Sequence, residues 1–188
     1  IYRKVFILII IASLPIILSG FLIAQSGIIN DLRSLKIIGW TTVLFGILLY
    51  FSDKRKNEKS LEINFDLKSA LIIGLLHIFS LIPGVSRSGI AITAARFLKF
   101  DRVNAARISF LLSIPTLLAV SVFGIYNIYI TDSFDIIKLN FSSIVLSFIF
   151  SYITMVAFLS YIKKASLDIF VLYRIVLGIL ILIFAYQS

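Results

Sequence analysis

The chain has 188 residues, of which 60% are hydrophobic and only 14% charged, and its mean hydropathy is +1.08. A soluble domain is roughly 45–50% apolar and about a quarter charged, so this chain lacks the polar surface that a soluble core needs. It has no cysteine, which excludes disulfides and thiolate metal sites, and we assign its net charge of +9 to membrane topology and not to nucleic-acid binding.

Five apolar segments are long enough to cross the hydrocarbon layer, which takes about 20 helical residues. Charged or turn-forming residues bound the segments 5–25, 34–51, 103–129, 141–162 and 167–186. They predict an all-α, polytopic membrane helix bundle with one domain over residues 1–188. Because the chain opens at Ile1, directly before an apolar run, we expect a fragment whose beginning is missing.

The segment 65–100, between the second and third spans, is apolar at both ends but interrupted by LIPGVSRSG at residues 81–89. Pro83 lacks a backbone donor, and Gly84 and Gly89 relax the backbone, which favours two half-helices over one continuous helix. Non-helical backbone at membrane depth must be buried in protein or line a wet cavity. The segment is therefore predicted to be a re-entrant helical hairpin inside the bundle.

The distribution of basic residues supports the hairpin. With it, one side of the membrane receives Arg3, Lys4, Lys54, Arg55, Lys56, Lys59, Lys68, Lys99, Arg102, Lys163 and Lys164, and the other only Arg33, Lys36 and Lys138. The positive-inside rule then places the first set in the cytoplasm and the C-terminus outside it. Residues 53–66 are expected to form a solvated cytoplasmic connection.

Arg87 is at the centre of the interrupted segment, where a charge in hydrocarbon costs roughly 3 kcal/mol or more. Every acidic residue lies in a loop or at the end of a span, so an anionic ligand is the candidate partner. The hydroxyls of Ser86 and Ser88 and the N-terminal dipole of the second half-helix complete an oxyanion cradle, and the guanidinium fork favours phosphate. The alternative is that the serines and glycines only cap half-helices while Arg87 snorkels.

Four further residues carry weaker hypotheses. His77, the only histidine, is either a hydrogen-bonded core residue or a secondary catalytic group. Arg174, in the last span, either snorkels or contributes to binding. Arg96 and Arg107 are expected at the interface, pairing with Asp101. No acidic pair lies within the spans, so the chain alone is not expected to hold a metal or to form a complete active site.

Four blocks carry a resemblance to a known family: ASLPIILSGFL at 12–22, PGVSRSG at 83–89, RVNAARISFLLSIP at 102–115 and YRIVLG at 173–178. In this order, they resemble the bacterial undecaprenyl-pyrophosphate phosphatase family of the BacA/UppP type, which is associated with bacitracin resistance. The resemblance implies two inverted repeats, each with a re-entrant helix pair, in the inner membrane. This chain looks like the C-terminal two-thirds, with glutamates and a histidine turn upstream of Ile1.

The family activity is hydrolysis of undecaprenyl diphosphate to undecaprenyl phosphate and phosphate, which recycles the lipid carrier for peptidoglycan synthesis. By this resemblance Arg87 and Ser86 are candidate catalytic residues, and the diphosphate of the polyprenyl lipid is expected to contact Gly84, Ser86, Arg87, Ser88 and Thr93. For the full-length protein we further expect a divalent cation, Mg²⁺ or Ca²⁺, and a homodimer, whereas this fragment is expected to be inactive.

The chain departs from the family pattern at two positions. Ala91 replaces the usual threonine four residues after the arginine, with Thr93 two positions later, and His77 stands where relatives often have glutamine. Ser109 and Phe110 match a block to which we assign packing. Two other functions stay open: a transporter or flippase of a phosphorylated lipid or another anion, since broken helices also hold anions in transporters, and a catalytically inactive relative, which Ala91 favours.

Overall fold

The computed structural model describes residues 2–26, 32–55, 59–130 and 137–187, with side chains described for all of these except 127–130 and 137–142. Within these ranges the chain is helical and contains no strand, only an isolated bridge between Lys59 and Phe100. The helices in chain order are α1 (Tyr2–Ser26), α2 (Leu35–Asp53), α3 (Leu61–Asn64), α4 (Leu67–His77), α5 (Arg87–Phe97), α6 (Arg102–Ile130), α7 (Ile137–Ile162) and α8 (Asp168–Gln187).

Five of these helices, α1, α2, α6, α7 and α8, are long and apolar enough to cross a membrane. Their ends differ from the five predicted spans by at most four residues. The prediction of an all-α, polytopic membrane protein is therefore confirmed.

The segment 65–100 forms two short helices that return to their starting point. Helices α4 and α5 have 11 residues each, so at 1.5 Å per residue each covers roughly half of a 30 Å hydrocarbon layer. The rings of Phe65 and Phe100 pack edge to face, and the Lys59 amide donates to the Lys99 carbonyl at 3.0 Å. Both ends of the segment thus lie together, as in a helical hairpin. Its depth in a bilayer stays a prediction.

The hairpin packs on the long helices along part of its surface, and the apolar residues at positions 67, 71, 75 and 79 remain exposed. Helix α4 packs on α1, α5 packs on α2 and α6, and α8 packs on α2. Glycines permit the close approaches: a Cβ on Gly178 would lie 3.1 Å from the Gly39 carbonyl between α8 and α2, and one on Gly74 would collide with the Ala12 backbone between α4 and α1. Small residues serve the same purpose in membrane helix pairs generally.

The connection over residues 53–66 is only partly the solvated loop that we predicted: residues 54–55, 62–64 and 66 are exposed, but three others are not. Asp53, Leu61 and Phe65 are all buried, because the short helix α3 packs against α6 and α1. Asp66 then caps α4, and hydrogen bonding from the side chain and amide of Ser69 lowers the pKa of the Asp66 carboxyl. This connection anchors the start of the hairpin.

Candidate functional site

The loop of residues 83–89, here called the signature loop, joins the two halves of the hairpin through two residues in the left-handed region of backbone space. Gly84 has φ +93° and Ser86 has φ 69°. A side chain at Gly84 would also collide with Thr41 and lie 2.5 Å from the Ile38 carbonyl on α2. Glycine is therefore required at this turn, as the sequence predicted, because it alone combines positive φ with such a close approach.

Two threonines of α2 contact the backbone carbonyls in the first part of the loop. The Thr41 hydroxyl donates to the Pro83 carbonyl at 2.7 Å, and the Thr42 hydroxyl is 3.2 Å from the Gly84 carbonyl. Both threonines are polar residues within an apolar span, which is the signal that could have identified them from the sequence. They attach the break in the hairpin to the neighbouring membrane helix.

Arg174 of α8 holds the next part of the loop. Its Nη2 donates to the carbonyls of Gly84 at 2.9 Å and Val85 at 2.8 Å, and the residue is only 8% exposed. Its Nη1 has no hydrogen-bond partner in the described part of the chain. The interpretation that Arg174 snorkels towards the interface is wrong: the side chain turns inward, because the carbonyls of Gly84 and Val85 lie within reach of its guanidinium.

The loop ends by capping α5. The Ser86 hydroxyl accepts from the Gly89 amide at 3.2 Å, and the hydroxyls of Ser86 and Ser88 are 3.5 Å apart. The first amides of a helix have no intrahelical acceptor, and the helix dipole adds partial positive charge there. Ser86, Arg87 and Ser88 are exposed side by side at this terminus, so the predicted cradle elements lie together in space.

A polar cavity of about 310 Å³ lies between the hairpin and α6. Its lining residues are His77, Arg87, Ser88, Ser109, Phe110, Ser113, Thr116 and Leu117. The Ser109 hydroxyl also donates a hydrogen bond to the Ser88 carbonyl at 3.3 Å. Ser109 and Phe110, to which the sequence assigned only packing, thus form part of the cavity wall.

An apolar groove of about 300 Å³ shares Arg87 and Thr116 with the polar cavity. Its other lining residues come from α1, α6 and the short 3-10 helix Ile78–Leu81 that follows α4: Ile16, Ile17, Gly20, Phe21, Ala24, Leu81, Ala119, Val120 and Phe123. Arg87 therefore lies where a polar cavity and an apolar groove meet. Such a junction suits an amphiphile with an anionic head.

Arg87 itself is exposed, and no hydrogen bond or ion pair joins its side chain to the described residues. Its side chain is therefore not buried within the protein, because the cavity opens in front of it; its depth in the membrane stays a prediction. His77 is 2% exposed at the wall of the same cavity, and its Nδ1 has no partner within the described ranges.

Thr93 occupies a different environment. It is 3% exposed, and its hydroxyl donates to the Gly89 carbonyl at 2.8 Å within α5. Ala91, at the position of the usual threonine, is fully buried. The hydroxyl of Thr93 already has an acceptor in its own helix, so its contact with substrate stays a prediction that this geometry does not favour.

The strongest ion pairs in the described ranges lie elsewhere, and the sequence analysis missed them. Asp53 accepts from Arg102 at 2.8 and 2.9 Å and pairs with Arg96 at 2.9 Å, and it also accepts from the Leu167 amide. Arg96 is 4% exposed and so is buried within the protein, whereas its position at the membrane interface stays a prediction. This cluster ties the ends of α2 and α5 to the starts of α6 and α8.

Asp101, the predicted partner of Arg96 and Arg107, binds neither of them. Asp101 accepts from the amide and side chain of Asn104 at the start of α6, so the pairing expected for Arg96 and Arg107 is wrong. Arg107 instead pairs with Glu62 at 3.3 Å on the surface. Sequence proximity suggested Asp101, but helix packing brings acids from other connections nearer.

Comparison with known proteins gives one family over nearly the whole chain. The family described as Bacitracin resistance protein BacA matches residues 2–180. A protein of Pelagibacter ubique is 48% identical over 98% of this chain and 72% of its own length. Another from Jannaschia sp. is 38% identical over 97% of this chain and 68% of its own length. Both relatives are named undecaprenyl-diphosphatase.

Proposed function

Because the chain belongs to the Bacitracin resistance protein BacA family, we propose that it hydrolyses undecaprenyl diphosphate to undecaprenyl phosphate and inorganic phosphate. The observation that carries this proposal is the position of Arg87, at the junction of the polar cavity and the apolar groove. The diphosphate fits the polar side of this junction. The first isoprene units of the lipid fit the apolar side.

Each predicted contact has a physical role in this arrangement. The Arg87 guanidinium can hold two phosphate oxygens at once, and its charge offsets the charge that develops on them during phosphoryl transfer. Ser88 lines the same cavity. Ser86 is the N-cap of α5, and the first amides of a helix bind anions. Donors fixed before the reaction stabilise the transition state without reorganising.

A general acid or base is not assigned among the described residues. His77 is the titratable neighbour of Arg87 in the cavity wall, and we propose a secondary role for it. Among the same residues, no three His, Asp or Glu side chains come together as a metal site requires. The divalent cation expected from the family thus stays a prediction, and loss of activity with EDTA, restored by Mg²⁺ or Ca²⁺, would support it.

Phosphate release from undecaprenyl diphosphate by the purified protein in detergent tests the function. No second compartment exists in a micelle, so release there is hydrolysis and not transport. The activity named for the relatives does not favour the transporter or flippase. Intact lipid diphosphate after incubation with well-folded protein would contradict the proposal.

Location and assembly are further parts of the proposal. We place this multi-pass protein in the bacterial inner membrane because of its family, and its C-terminus outside the cytoplasm because of the basic-residue distribution. Protease protection of a C-terminal tag in inverted vesicles tests this orientation. A homodimer is also proposed, and the mass of the detergent-solubilised protein by light scattering tests it.

A further inference from the structure

Arg174 is the most deeply placed charge near the signature loop. It comes from α8, outside the hairpin, and Nη2 binds two consecutive loop carbonyls at 2.9 and 2.8 Å. None of the ion pairs among the described residues includes it. Burying a guanidinium inside a membrane protein costs free energy, and such groups usually have a functional role. We therefore ask what the hydrogen bonds of Arg174 do for the loop.

The hydrogen bonds of Arg174 determine which way the loop amides point. The described peptide bonds are all trans, and in a planar trans peptide the C=O and N–H of one unit point in opposite directions. Because Arg174 holds the Val85 carbonyl, the Ser86 amide of the same unit must point away from α8. The guanidinium thereby sets the orientation of the peptide unit that leads into Ser86, which lines a second cavity of about 510 Å³ together with Arg174, Ser88 and Gly89.

The guanidinium of Arg174 leaves no room for a side chain at residue 89. A Cβ added at Gly89 would lie 2.7 Å from Arg174 Nη1 and 3.1 Å from the Ser86 hydroxyl. The guanidinium therefore occupies the position that a side chain at residue 89 would take. Gly89 has helical backbone and no positive φ, so this contact is the reason that the structure gives for a glycine here.

We infer that Arg174 is a positioning residue for phosphoryl transfer: it fixes the peptide units of Gly84 and Val85, and with them the start of α5, where Ser86, Arg87 and Ser88 are exposed. This inference rests on the proposed function. The positive charge of Arg174 also lies directly behind the loop, where it adds to the field that attracts the anion. Arg174 acts through the loop, and no contact with substrate is assigned to it.

The first arm of the test is kinetic and uses undecaprenyl diphosphate in detergent. Misplacing a reacting group by about 1 Å can reduce rates about a hundredfold, so Arg174→Met should lower kcat/KM on the order of a hundredfold. Arg174→Lys keeps the charge but has a shorter side chain with one donor group, and its kcat/KM should be about tenfold higher than that of Arg174→Met. Gly89→Ala, which displaces the guanidinium, should lower kcat/KM in the wild-type background and much less in Arg174→Met.

The second arm measures the loop without the reaction. Amide hydrogen exchange of peptides over residues 82–90 reports on the Val85 amide, which donates to Ile82, and the Gly89 amide, which donates to the Ser86 hydroxyl. Arg174→Met should raise exchange there at least tenfold, with α2 and α6 unchanged. Arg96→Met is the matched control, because it removes a buried guanidinium bonded to Asp53, and it should lower stability without raising exchange in the loop.

The outcomes separate the inference from the proposed function. Unchanged loop exchange in Arg174→Met, or raised exchange with kcat/KM within twofold of wild type per folded molecule, overturns the positioning role. Equal losses of kcat/KM in the lysine and methionine variants also contradict it. If the wild-type protein hydrolyses no undecaprenyl diphosphate, the proposed function fails, and the exchange arm still decides whether Arg174 holds the loop.

Discussion

The rings of Phe65 and Phe100 lie edge to face with centroids 6.1 Å apart, although a complete helix–turn–helix segment separates them in sequence. Both residues are almost fully buried. Their contact closes the hairpin at its base, next to the backbone hydrogen bonds of Lys59 with residues 99 and 101. The signature loop is consequently presented at the far end of two helices that are each too short to cross a bilayer.

The closed base predicts that Lys68 and Lys99 face the same side of the membrane. Both side chains are exposed, one at the start of α4 and the other just after α5. Cysteines introduced at these positions should react with an impermeant maleimide from the same side of oriented vesicles. Labelling from opposite sides would mean that the segment crosses the membrane, and the hairpin would be rejected.

Arg87 is predicted to act on the reaction and not on folding. Arg87→Lys keeps the charge but loses the fork, and should lower kcat/KM on the order of a hundredfold. Arg87→Ala should lower it on the order of a thousandfold, as expected for loss of a transition-state donor. Because the side chain is exposed and binds no described residue, the melting temperature should stay within a few degrees of wild type.

Activity and melting temperature must be measured on the same preparations of the Arg87 variants. If Arg87 only snorkels, the variants should insert or fold poorly, yet retain activity per folded molecule. Wild-type kcat/KM in well-folded Arg87→Ala would exclude the proposed phosphate contact.

His77→Gln is predicted to keep most of the activity, with kcat within about tenfold of wild type. The side chain is buried in the cavity wall beside Arg87, and glutamine can still offer a hydrogen-bonding group there. His77→Leu, of similar volume but apolar, serves as the comparison and should lose more. A loss of a thousandfold or more in the folded glutamine variant would identify His77 as an essential proton carrier.

Gly84→Ala should impair both stability and activity. The backbone at Gly84 has φ +93°, and a Cβ would also meet the two threonines and the Ile38 carbonyl of α2. Alanine in this conformation costs roughly 1 kcal/mol or more before any collision. We expect a clear fall in melting temperature, whereas Gly124→Ala, with open space around it, should differ little from wild type by the same circular-dichroism measurement.

Asp53→Asn is predicted to destabilise the protein strongly. It leaves the buried Arg96 without its carboxylate, and breaking a buried ion pair typically costs about 3–5 kcal/mol. Glu62→Gln removes only the exposed pair with Arg107 and should cost less than about 1 kcal/mol. Denaturant unfolding in detergent checks both values, and equal effects would show that the Asp53 cluster contributes no more than a surface pair.

Local sequence was sufficient for the helices and for the position of the loop. A span needs only about 20 apolar residues in a row, and a break needs only proline and glycine at the right places. These signals lie within a few residues of each other, so the ends of the spans and the hairpin segment could be predicted without any partner. The grouping of Ser86, Arg87 and Ser88 follows from the same short stretch.

The partners of buried polar groups depended on tertiary structure. Arg174 looked like a residue that could reach the interface, and Asp53 looked like a loop acid, because each is judged in sequence only by its neighbours. In the fold, the packing of α8 on α2 brings Arg174 to the carbonyls of Gly84 and Val85. Asp53, at the end of α2, pairs with Arg96 and Arg102 because the end of α5 and the start of α6 pack next to it. Hydrophobic length is a local property, but a hydrogen-bond partner is decided by which helices pack together.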